Sequence, residues 1–74
     1  MAAHPGSTLK HYMGYTSFSP ETVAARSGVA LNDIQGVCDE TTSVSDAIAT
    51  GLAKVFDRPK AYWLGLQSAF DAAQ

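Results

Sequence analysis

The stretch Tyr62-Trp63-Leu64-Gly65-Leu66-Gln67-Ser68-Ala69-Phe70 constrains this chain more than any other. Tyr62, Trp63, Leu66, Ala69 and Phe70 fall at i, i+1, i+4, i+7 and i+8, which is one face of an α-helix. The only tryptophan and one of three phenylalanines lie on that stripe. In a chain of 74 residues, two large aromatics on one face must fill much of the core. The last helix is therefore expected to be the wall against which smaller helices pack. Trp63 is expected to be core and not a ligand contact.

Earlier in the chain the helix signals are local. Residues 1–4 are expected to be loose. Pro5 suits a first helical turn, Leu9, Tyr12 and Met13 share a face, and Gly14 is the expected stop, with Tyr15 to Phe18 as a connector. Ser19-Pro20-Glu21 is the clearest helix start: a capping hydroxyl, a proline at the first position and an acid at the positive end. Val23, Ala24 and Ser27 form one side of that helix and Gly28 ends it. Leu31 to Cys38 is the next helix, with Ile34, Val37 and Cys38 inward. Gly36 inside it costs about 1 kcal/mol relative to alanine. Ser43 or Ser45 caps a fourth helix whose stripe is Ile48, Ala49, Leu52, Ala53, Val55 and Phe56, and Gly51 leaves room for a close approach. Asp57-Arg58-Pro59 breaks the chain before the aromatic helix. No run alternates with period two, so the expected class is all-α, with five short helices in one domain.

Composition narrows the functional classes. Hydrophobic residues are 46% and charged residues 16%, which is globular and not disordered. Five Lys/Arg against seven Asp/Glu give a net charge of −2, so nothing global selects a polyanion. The single cysteine, Cys38, excludes an internal disulfide and reads as a buried inert thiol. His4 and His11 have no partners at ligand spacing, so no metal or cofactor is expected. No nucleophile elbow or phosphate loop is present, and the chain is read as a binding protein and not an enzyme. There is no secretory signal and no apolar run of membrane-spanning length, so the expected location is cytoplasmic, with no membrane partner.

The pattern helix, Gly28-Val29-Ala30 turn, helix is that of a helix-turn-helix. Two further motifs sit in register with it. His4-Pro5-Gly6 followed by Leu9 resembles the opening of HigA-type antitoxins. Trp63-Leu64-Gly65-Leu66-Gln67, preceded by an Ala49/Leu52/Ala53 helix, resembles the tryptophan–leucine–glutamine signature that closes their domain. The resemblance runs from His4 to Asp71. It implies a five-helix, lambda-repressor-like (XRE) bundle that binds its own operator as a dimer and neutralises a ribosome-dependent RNase toxin. Ser19 to Ser27 would then be the positioning helix and Ala30 to Cys38 the recognition helix. Asn32, Asp33, Gln35 and Gly36 would be its outward residues. Tyr62, Trp63, Leu64, Leu66, Gln67 and Phe70 would form the core and dimer helix, with Leu64 and Phe70 the candidate dimer contacts.

This chain departs from that pattern in charge. No Lys or Arg occurs between Arg26 and Lys54, whereas Asp33, Asp39, Glu40 and Asp46 do. Carboxylates facing phosphates oppose binding where counterion release should favour it. Two functions follow. One is a HigA-like antitoxin and transcriptional regulator whose DNA binding is weakened by an acidic recognition helix. The other is a small protein-binding inhibitor or adaptor, of phage or mobile-element type, that reuses the scaffold without binding DNA. Its acidic face would meet a basic protein surface.

Overall fold

The computed structural model describes residues 2–74 and contains five α-helices, with no strand among the described residues. They are α1 (Pro5–Thr16), α2 (Pro20–Ser27), α3 (Leu31–Cys38), α4 (Asp46–Val55) and α5 (Lys60–Ala72). α4 lies between α2 and α5, while α1 packs on α3 and touches α5. Every helix sends at least one fully enclosed side chain to a common centre: Leu9, Val23, Ile34, Leu52 and Trp63 are all 0% exposed. The Trp63 ring is surrounded by those of Tyr12, Phe56 and Tyr62, with centroids 5.4–6.0 Å away. Its indole Nε1 is the one buried side-chain N or O without a hydrogen-bond partner among the described residues.

Local sequence accounts for most boundaries. The Ser19 hydroxyl accepts the Thr22 N–H at 3.2 Å and the Ser45 hydroxyl accepts that of Ile48 at 3.2 Å, so of the two serines before α4 it is Ser45 that caps. Gly28 adopts φ 75°, the left-handed conformation that closes α2. Gly51 is buried against Ser27 and Val29, the close approach its lack of a side chain anticipates.

Three expectations need correction. First, α1 runs through Gly14 to Thr16 and is closed by Ser17, which takes φ 63° itself, so the glycine is not the stop. The N–H groups of Ser17 and Phe18 both reach the Met13 carbonyl and close the turn there.

Second, of the residues expected to be loose, His4 is held in place; Met1 lies outside the described residues. His4 is 4% exposed, its Nδ1 accepts the Gly6 N–H at 2.9 Å, and its ring meets Phe70 edge-on at 4.9 Å. A helix start needs acceptors for its first N–H groups, and an imidazole nitrogen meets that need as a serine would.

Third, the buried line of α5 is Trp63 and Gln67, with Tyr62, Leu66 and Phe70 at its edges; Ala69 is exposed. Gln67 is drawn in because its Oε1 accepts the Val44 N–H at 2.8 Å, while its Nε2 donates to Asp71 at 2.8 Å. A paired amide can occupy a core that an unpaired one would disrupt.

Candidate functional site

α2 and α3 are joined by three residues, Gly28, Val29 and Ala30. The Val29 N–H is satisfied by the Ser27 hydroxyl at 3.1 Å, and Ser27 is itself buried. Val29 packs at the edge of the core, which fixes how α3 leaves the turn. Ile34 and Val37 anchor α3 inward at 0% exposure. The spacing then leaves Asn32, Gln35 and Asp39 as one outward ridge, all exposed.

Gly36 does not belong to that ridge. It is half-buried, and a Cβ there would overlap the Thr42 hydroxyl. The N–H groups of Thr41 and Thr42 both return to the Gly36 carbonyl, at 2.9 and 3.1 Å. Its role is to let the chain fold back over α3.

Asp33 is exposed on the side of α3 that faces α4. There the α2–α3 turn, Ser43, Thr50 and Lys54 join it around an open groove of about 690 Å³.

Of the four carboxylates expected as one acidic face, all are exposed and two have partners outside α3. Asp46 pairs with Lys60 at 2.9 Å, with both side chains largely in solvent. Glu40 sits at the start of α1, where the Ser7 hydroxyl reaches it at 3.4 Å and the positive helix end stabilises it. Asp33 lies on α3 and Asp39 just past its last residue. On the last turn of α2, Arg26 lies over the Phe18 ring at 4.7 Å, a cation–π contact that fixes a positive charge there.

A second cluster lies where α1 ends against the α4–α5 connection. Arg58 donates its Nε–H to the Tyr12 hydroxyl at 3.0 Å and lies 5.4 Å over the Tyr62 ring. The Tyr62 hydroxyl and then Arg58 pull Tyr12 below the ordinary phenol value, and the same contact with Tyr12 pushes Tyr62 up. The partners are 46 residues apart, so no sequence spacing reveals them. Elsewhere, Cys38 is partly exposed, not sealed in the core. Burial still raises its thiol pKa, and its Sγ lies 3.7 Å from the Met13 Sδ.

The candidate dimer contacts on α5 are less free than expected. Trp63 and Gln67 are buried, Leu64 is half-buried against the core, and Phe70 is engaged with His4. Among the described residues no three His, Cys, Asp or Glu side chains converge on a metal position. No helix there is long and apolar enough to cross a membrane. Compared with known proteins, the chain matches no family model and no curated protein.

Proposed function

We propose that this chain is a HigA-like antitoxin and transcriptional regulator, a lambda-repressor-like helix-turn-helix domain that binds operator DNA as a homodimer and a cognate toxin as its protein partner. The observation that carries the reading is the exposed ridge of α3, presented just after a tight left-handed turn from α2. On that ridge Asn32 and Gln35 offer the amide pairs that bind adenine bidentately in a major groove. The pairing of Asp46 with Lys60 supports it further, since it offsets one of the four carboxylates, and only Asp33 and Asp39 lie on α3 or at its end. Those two, with no cation on α3, keep sequence-independent affinity low, so base contacts carry an unusual share of the binding.

The test is fluorescence anisotropy with duplex from the region upstream of its own gene, against a scrambled duplex at equal salt. The expected result is preference for the upstream duplex, reduced about tenfold or more in Asn32→Ala/Gln35→Ala, since a bidentate base contact is worth about 1–3 kcal/mol. Equal affinity for both duplexes, or an indifferent double variant, overturns the reading. The absence of Lys and Arg from Ser27 to Ala53 favours the second reading, a protein-binding adaptor on the same scaffold. No binding to either duplex together with a complex sensitive to Asp33→Lys/Asp39→Lys would establish it.

A further inference from the structure

We propose that the surface formed by the end of α1 and the α4–α5 connection is a self-association site, on which a second copy of this chain docks about a two-fold axis. The inference rests on the homodimer of the preceding reading and moves its contact away from α5. The surface carries both halves of a complementary shape. Tyr15 is 85% exposed and is the one large hydrophobic side chain so exposed among the described residues. Beside it lies a hollow of about 420 Å³, lined by Tyr12, Thr16, Val55, Phe56 and Arg58 as well as Tyr15 itself. Tyr15 forms part of the wall of the hollow and leaves most of its ring exposed, so that the ring can enter the hollow of a copy related by two-fold symmetry. Such an isologous contact is made twice.

The charges are complementary in the same way. Asp57 and Arg58 adjoin one another on this rim, both exposed, and neither forms a salt bridge among the described residues. Arg58 is already held by Tyr12 and Tyr62, so its guanidinium is ordered before any partner arrives. A two-fold arrangement sets each Asp57 against the other copy's Arg58, with the carboxylate meeting the two terminal amino groups that the Tyr12 bond leaves free. The chain as a whole is −2, and a patch that carries both signs lets two copies meet there without adding like-charge repulsion. Tyrosine and arginine are also the residue types that most often dominate interface energetics.

Sedimentation velocity without DNA tests the assignment, with circular dichroism checking that each variant is folded. The parent is expected to dimerise in the micromolar range, and Tyr15→Ser to weaken the dimer about tenfold or more. Asp57→Arg and Arg58→Asp, each alone, are expected to be monomeric, and an equimolar mixture of the two to associate again. A parent dimer indifferent to Tyr15→Ser and to both charge variants overturns the surface while leaving the homodimer standing. A parent monomeric up to about millimolar concentration overturns both, and the α3–DNA contact is then judged separately by the Asn32/Gln35 variant.

Discussion

α2 and α3 are both eight residues long and share one turn, yet different physics holds them in place. α2 carries its own punctuation: the Ser19 cap, proline at the first position, Glu21 in the first turn, Arg26 in the last and a left-handed glycine after it. α3 has almost none of this. Ala30 provides no capping side chain, no base lies in its last turn, and the left-handed residue after it is Glu40 at φ 64°. A non-glycine residue there costs about 1–2 kcal/mol. α3 is held instead by the burial of Ile34 and Val37 and by the returning Thr41–Thr42 segment. The helix that would read a partner is thus the one whose shape depends on the rest of the fold. Local signals fix its neighbour and tertiary contacts fix it.

The sharpest break in that contrast is Gly36→Ala. Alanine is the better helix former by about 1 kcal/mol, so a locally determined helix would gain. Here the added methyl meets the Thr42 side chain, and a net loss of about 1–3 kcal/mol is expected in denaturant unfolding, the usual range for overpacking. On the other side of the turn, Ser19→Ala should lower stability by about 1 kcal/mol through the lost cap of α2. The smallest effect sharpens the comparison from below. Ala30→Ser supplies α3 with the cap it lacks and should raise stability by about 0.5–1 kcal/mol in the same assay. A loss there would mean that α3 does not start at Leu31.

The same division explains what could be read from the sequence. Helices α2 to α4 appear at close to their observed bounds, because Ser19, Gly28 and Ser45 act within a few residues of themselves. The inward residues Val23, Ile34, Leu52 and Trp63 follow from periodicity alone. Features made by distant partners were not legible. Gln67 looks like a surface amide until Val44, 23 residues away, comes to meet it. His4 looks like part of a loose end until Phe70 packs on it. In the candidate site, the exposure of Asn32 and Gln35 follows from helical spacing, but the partners of Asp46 and Glu40 do not. They depend on Lys60 finding Asp46 and on the start of α1 lying beside Glu40.

The Gln67–Val44 bond has a consequence for how the molecule holds together. Val44 belongs to no helix, and its backbone N–H relies on a side chain from α5 for its only partner among the described hydrogen bonds. Until α5 docks, that N–H has no acceptor inside the protein, and the segment leading into α4 lacks its anchor. α3, the return loop above it and the start of α4 are therefore coupled to a residue near the other end of the chain. A fragment ending at α4 is expected to keep the α2–turn–α3 sequence but to lose part of the order that makes α3 a fixed surface.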